Sequence, residues 1–323
     1  MSVSRILGWA RLAYRLQRWE LLILGARTLF FIALGWLTIL RLDEARAAFP
    51  GCFDPGTAVC PARALDTYNT WQMLADRLGE AAWLLPALIG LVLGVPIVAR
   101  EIEHGTGQIA WSLSTSRARW LLGRVLPVAL AVVVALLLVG FVADRVTQAA
   151  FPRDDVAASF MWYGRRGLLL AVRGVAWFAI GLAVGARLGR SLPGLLVGGA
   201  LVAALVIGTS EGISAWQTSV ASPALAGTTP NYGTALVVDT AARLPDGRLV
   251  SLRDTGDLQL MISEEPPQAS EIPPGYTWAQ EVPIQIPGSD YPVWVARESG
   301  ILAALALMAF ALTAFVVGRR RLS

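Results

Sequence analysis

Leu121-Leu-Gly-Arg-Val-Leu-Pro-Val-Ala-Leu-Ala-Val-Val-Val-Ala-Leu-Leu-Leu-Val-Gly-Phe-Val142 carries one charge, Arg124, in a run long enough to cross a membrane. A bilayer's hydrocarbon core needs about 20 apolar residues in a helix. Five further blocks read the same way: Leu21–Leu40, Ala82–Ala99, Leu168–Leu188, Leu192–Ile207 and Ile301–Val317. The fifth is short, but Val202–Gly208 extends it and Pro193 suits its first turn. The chain of 323 residues is 55% hydrophobic and 15% charged, far below the roughly 25% charge of soluble domains. The expected fold is an all-α polytopic membrane protein with six transmembrane helices.

The 27 basic residues are all arginine and there is one histidine, His104. Without lysine there is no P-loop, so the chain cannot itself be an ATPase of that type. One histidine excludes His-Glu-x-x-His zinc sites and bis-histidine haem, and two cysteines cannot hold an iron–sulfur cluster. No nucleophile–base arrangement points to a membrane enzyme. The arginines set topology rather than forming a basic patch, which argues against nucleic-acid binding. No cofactor and no metal site is expected in this chain.

With the N-terminus inside, the cytoplasmic segments hold 13 arginines against Glu20, Glu101 and Glu103, and the outer segments hold 12 arginines and 20 acids. The positive-inside rule then places both termini in the cytoplasm. Ala45-Arg46-Ala47 imitates a signal-peptidase site, but the preceding apolar run exceeds the 7–15 residues of a signal core, so an uncleaved span is expected. Arg27, about one turn from the inner face, can snorkel. Ser4–Glu20 sets Arg11, Arg15 and Arg18 among Leu12, Leu16 and Trp19, as an interfacial amphipathic helix would. A plain extension of the first span is the other reading.

The implied domains are residues 1–20, an interfacial helix, then 21–208, spans one to five with an inner loop over 99–120. A large extracytoplasmic loop at 209–297 and the last span with a basic tail at 298–323 complete the chain. In the first outer segment Cys52 and Cys60 flank a Pro/Gly-rich stretch. Outside the cytosol they are expected to form a small loop-closing disulfide, contributing about 2.5 kcal/mol. In the 209–297 loop, apolar runs flank Pro245-Asp246-Gly247, a hairpin signal, with further strands at Thr234–Thr240, Gln259–Ile262 and Val282–Ile286.

Glycines recur every four residues at Gly90 and Gly94, at Gly181, Gly185 and Gly189, and at Gly194 and Gly198. Such stripes let helices approach closely, within one subunit or across a dimer. No carboxylate falls near the centre of an apolar block, which counts against a proton-coupled carrier. Arg173 is expected to snorkel; contact with an anionic substrate is the alternative.

The informative loop runs Ala99-Arg-Glu-Ile-Glu-His-Gly-Thr-Gly-Gln-Ile-Ala-Trp-Ser-Leu-Ser-Thr-Ser-Arg-Ala-Arg-Trp120 into Leu121-Leu122-Gly123-Arg124. Ile102, Ile109 and Leu113 fall at i, i+7 and i+11, one face of a helix. Ser114, Thr115 and Ser116 offer helix caps for the third span, and Arg117 and Arg119 sit at headgroup level. Glu101 and Glu103 either dock on basic residues of a partner or neutralise Arg100 and Arg117. His104 reads as a surface loop residue.

Over these residues the chain resembles the ABC-2 family of ABC-transporter permeases, notably its actinobacterial members. Their pattern is roughly Glu-x-Glu-x-Gly-Thr, a short apolar helix, then Pro-x-Ser-Arg and Gly-Lys. Glu101, Glu103, Gly105, Thr106, Ser116, Arg117 and Gly123 match it, while Ser114 replaces proline and Arg124 replaces lysine. The resemblance implies the permease subunit of an ABC exporter in a bacterial plasma membrane. It would pair with separate ATPase subunits that bind ATP and Mg, and with a second permease copy or a homologue. The inner loop would be a coupling helix seated on the ATPase through Glu101, Ile102, Glu103, Gly105, Thr106, Ile109, Leu113, Ser116 and Arg117. The alternative is a membrane sensor or assembly subunit that binds a ligand or partner through its outer loop.

Overall fold

The computed structural model describes residues 3–49, 52, 61–106, 116–152, 154–224, 234–252, 260–263 and 273–319, with side chains from Arg18 onward. It divides into two compact units, residues 1–153, 162–205 and 294–323 in one and residues 154–161 and 206–293 in the other.

Six long helices contain the six apolar blocks: α1 (Val3–Ala48), α2 (Ala62–Glu103), α3 (Arg117–Ala150), α4 (Leu168–Leu188), α5 (Ser191–Val220) and α6 (Tyr291–Arg319). Each is long and apolar enough to cross a membrane. The chain is a multi-pass membrane protein. Most of these helices outrun their apolar blocks, because polar turns flank the hydrocarbon-length core. Residues 3–20 are helical as expected and continue without a break into the first span. The Ala45–Ala47 stretch is still inside α1.

The first unit is organised around α4. Its most apolar stretch is 72% buried, against 28% for α1 and α6 and 17% for α5. A helix apolar on every side belongs in the interior, and α4 alternates bulky Phe178, Leu182 and Trp177 with alanine and glycine. The small residues matter because lipid tails give helices no hydrophobic reason to associate, so close van der Waals contact must hold them together. A Cβ on Gly90 would lie 2.6 Å from the Phe178 backbone nitrogen, and one on Gly94 would lie 2.5 Å from the Phe178 carbonyl oxygen. One on Gly185 would strike the Val95 carbonyl oxygen, and one on Gly194 would come within 2.7 Å of Val95 Cγ1. The glycine stripes of α2, α4 and α5 therefore pack inside the subunit, as expected. Gly189 serves a different purpose, since at φ +66° it ends α4, its N–H bonding the Gly185 carbonyl at 2.9 Å.

Around this crossing, Leu24, Leu93, Val98, Val128, Leu136 and Phe178 belong to one core cluster. A second cluster joins Phe31, Leu42, Leu78, Val142 and Leu170.

The second unit is the β-containing region. Strands β1 (Ser222–Pro223), β2 (Leu236–Arg243), β3 (Leu249–Ser251), β4 (Leu260–Ser263) and β5 (Thr277–Ile286) form one sheet ordered β1-β5-β2-β3, with β4 parallel to β5 and the other pairs antiparallel. The expected hairpin is present: Arg243 faces Leu249, Gly247 takes φ +84°, and Asp246 Oδ1 accepts the Arg248 N–H at 2.9 Å. β5 starts five residues before the expected strand at Val282. Helices reach into both ends of the expected 209–297 segment, α5 continuing to Val220 and α6 beginning at Tyr291. Residues 154–161 also fold with this sheet, not as a separate segment. The Phe160 N–H donates to the Thr234 carbonyl at 2.8 Å, and its ring stands edge-on to Tyr291 at 5.7 Å. Cys52 is described, but its expected partner Cys60 lies outside the described residues.

Gly94→Ala is expected to force α2 from α4 and cost about 1–3 kcal/mol, as overpacking does. In thermal unfolding of the detergent-solubilised protein, Gly94→Ala lowers the midpoint, while Gly199→Ala, with open space around its Cβ, leaves it in place.

Candidate functional site

The residues that carry the family resemblance gather at the arginine-rich end of the first unit. α2 ends at Glu103, and His104 caps it with its N–H on the Arg100 carbonyl at 3.0 Å. Gly105 follows at φ +70° with open space around it, and its N–H reaches the Ile102 carbonyl at 3.2 Å. A left-handed residue after a helix end is where glycine is favoured, which gives the glycine of the motif a backbone reason. The reversal also corrects the expected helical face. Ile102 belongs to the last turn of α2 and packs on the bundle core, so Gly105 separates it from Ile109 and Leu113. Ile109, Leu113, Ser114 and Thr115 lie outside the described residues. Residues 104–116, inside the expected 99–120 loop, join α2 to α3.

Both acids of the motif are bonded within this chain. Glu101 Oε1 is 2.7 Å from an Arg124 guanidinium nitrogen on α3, with the two side chains 13% and 12% exposed. Thr106 Oγ1 donates to the other oxygen, Glu101 Oε2, at 3.0 Å. Arg124 also lies over the Trp120 ring, 5.9 Å from its centroid. Glu103 Oε2 accepts the Ser191 N–H at 2.9 Å, at the start of α5, where a carboxylate satisfies an orphan donor and suits the helix dipole. Within this chain Glu101 thus pairs with Arg124 of α3, whereas Glu103 meets a backbone N–H of α5. Arg100 is engaged by Glu20 of α1.

The α3 side completes the junction. Ser116 caps α3, its Oγ accepting the Arg119 N–H at 3.2 Å. Arg117 Nη1 donates to the carbonyls of Val317 at 3.2 Å and Gly318 at 2.9 Å, satisfying the free C-terminal end of α6. Five helices are thus linked at one end through residues of a single short motif and its charged neighbours. A cleft of about 290 Å³ opens beside them, with Arg100, Glu101, His104 and Arg124 at its polar side and Val92 and Pro96 at its apolar side. His104 is exposed, its Nδ1 2.8 Å from the Arg100 carbonyl.

The opposite end of the helices holds ion pairs that sequence reading missed. Arg173 does not snorkel. Its Nε lies 2.8 Å from Glu298 Oε1 on α6 and its Nη1 donates to the Gly164 carbonyl at 2.7 Å. Glu298 is 5% exposed and lies in the early turns of α6, ahead of the apolar block that starts at Ile301. Arg166 pairs with Asp144 of α3 at 3.0 Å. Among the described residues, no group of three His, Cys, Asp or Glu is placed to hold a metal ion.

The sequence profile of the ABC-2 membrane transporter related family matches residues 23–213, more than half of the chain. The chain belongs to this family. It is a transporter permease, and proteins of this family generally work with ABC ATPases. The matched stretch holds α2, α3, α4 and the junction apart from Glu20, Val317 and Gly318, along with most of α1 and α5. No curated protein and no solved structure matches the chain.

Glu101→Gln leaves the Arg124 guanidinium without its counter-charge, a loss of up to about 3 kcal/mol for a pair this shielded. The thermal midpoint of the single variant should fall, and Glu101→Arg combined with Arg124→Glu should recover most of it. No recovery in the exchanged pair means the contact is not what holds α2 to α3.

Proposed function

We propose that this permease is the membrane-spanning half of an ATP-driven exporter, and that residues 100–124 receive the stroke of a separate ABC ATPase. The observation that carries this reading is the junction: the motif that resembles the family's coupling region also ties α2 to α1, α3 and α5 and α3 to α6. A chain with no lysine has no P-loop and must take its energy from a partner, which would bind ATP and Mg.

In this reading the segment 107–115 seats on the ATPase through Ile109 and Leu113, an amphipathic helix in a groove. Glu101, Glu103, Gly105, Thr106, Ser116 and Arg117 act behind it, passing displacement to the helices they hold. α2 and α4, in backbone contact at Gly90, Gly94 and Gly185, then move as one body. Two copies, or one copy and a homologue, frame the pathway and alternate its access between the two sides. Arginine asymmetry supports a bacterial plasma-membrane topology with residues 100–124 and both termini in the cytoplasm and the sheet of residues 222–286 outside.

A second reading, a membrane sensor, draws on the separate compact unit of residues 154–161 and 206–293. It requires no ATPase. Affinity purification of the tagged chain from its native membranes separates the two: an exporter brings down an ABC ATPase, and a sensor does not. Ile109→Asp with Leu113→Asp should reduce the recovered ATPase at least tenfold while membrane insertion and thermal midpoint stay unchanged. Undiminished recovery would remove the docking role from these two residues.

A further inference from the structure

A groove unrelated to the junction lies along α4, α5 and α6 of the first unit. It encloses about 480 Å³, within the range of ligand sites, and every residue lining it is apolar except Arg187. Ala183 and Ala309 give it depth, and Val184, Leu201, Leu305 and Met308 form its sides. The sides remain open: Leu201 is 42% exposed and Met308 63%. Arg187 stands in the last turn of α4, at the polar end of the groove, and is itself exposed. Ile180, the lining residue deepest along α4, lies about 10 Å further into the apolar layer at 1.5 Å per residue.

The charge at the rim selects the occupant. Arg100 and Arg124 of the same end meet carboxylates and Arg117 meets carbonyls, whereas Arg187 has no ion pair or hydrogen bond among the described residues. A guanidinium at headgroup depth, above an apolar channel between helices, is matched by a phosphate above an acyl chain. Basic pockets between transmembrane helices bind anionic lipid headgroups in this manner. A dry protein interface, by contrast, is depleted of charge at its core.

We infer that this groove holds one acyl chain of an anionic phospholipid whose phosphate pairs with Arg187. Such occupancy needs the helices to span a membrane and nothing of the transport reading.

The test is native mass spectrometry of the delipidated full-length protein, titrated with dioleoyl phosphatidylglycerol and with dioleoyl phosphatidylcholine. The wild type should bind phosphatidylglycerol about fivefold more tightly, the effect of one arginine near an anionic headgroup. Arg187→Gln should abolish that preference and keep phosphatidylcholine binding. Leu201→Trp, which fills the groove, should weaken both lipids. Equal binding of the two lipids by the wild type, or a preference surviving in Arg187→Gln, overturns the assignment. So does a Leu201→Trp variant that dissociates a dimer without losing lipid, because the groove would then belong to a second copy. Circular dichroism of each variant verifies that the helices are intact.

Discussion

The close approach of α2 and α4 is the constraint on which the rest of the first unit depends. At Gly90, Gly94 and Gly185 one backbone lies against another with no room for a methyl group. In lipid this contact replaces the hydrophobic effect as the source of cohesion, since a leucine loses little by facing an acyl chain. It also removes freedom: two helices in backbone contact cannot slide without breaking many small contacts at once. The pair is a stiff beam buried in the bundle, with α1, α5 and α6 more exposed around it.

What stands at the end of that beam gives the family motif its physical content. Glu101, Glu103, Gly105 and Thr106 do not form a free acidic surface. Gly105 turns the chain, Thr106 and Arg124 hold the Glu101 carboxylate, and Glu103 covers the start of α5. Arg117 closes α6 from the other side of the loop. Of these contacts the Glu101–Arg124 pair has the lowest exposure, and such a pair yields less readily than surface pairs in water. The arginine in place of the family's lysine fits this position, because a guanidinium can meet the carboxylate and lie over Trp120 together.

Much of this is legible in the sequence, and the reasons for success and failure differ by element. The spans follow from runs of apolar residues, and the β2–β3 hairpin follows from Pro245-Asp246-Gly247, because each signal is local. Hydropathy starts α6 too late, because Arg297-Glu298-Ser299-Gly300 interrupts the apolar residues between Val293 and Val317 and looks like loop. The pair of Glu298 with Arg173, 125 residues away, leaves no local pattern. The tie between Glu20 and Arg100, 80 residues apart, leaves no local pattern either. Ile102 goes to the wrong helix for another reason: a periodicity of i, i+7 and i+11 passes over Gly105, whose backbone ends the element.

Only a cytoplasmic loop can meet an ATPase, so the coupling role depends on which side of the membrane residues 104–116 occupy. The direct measurement replaces Gln108 with cysteine in a Cys52→Ser, Cys60→Ser background and exposes it to a membrane-impermeant maleimide. The loop should be modified in inside-out vesicles and spared in intact cells. Modification in intact cells would place the junction outside and contradict the mechanism.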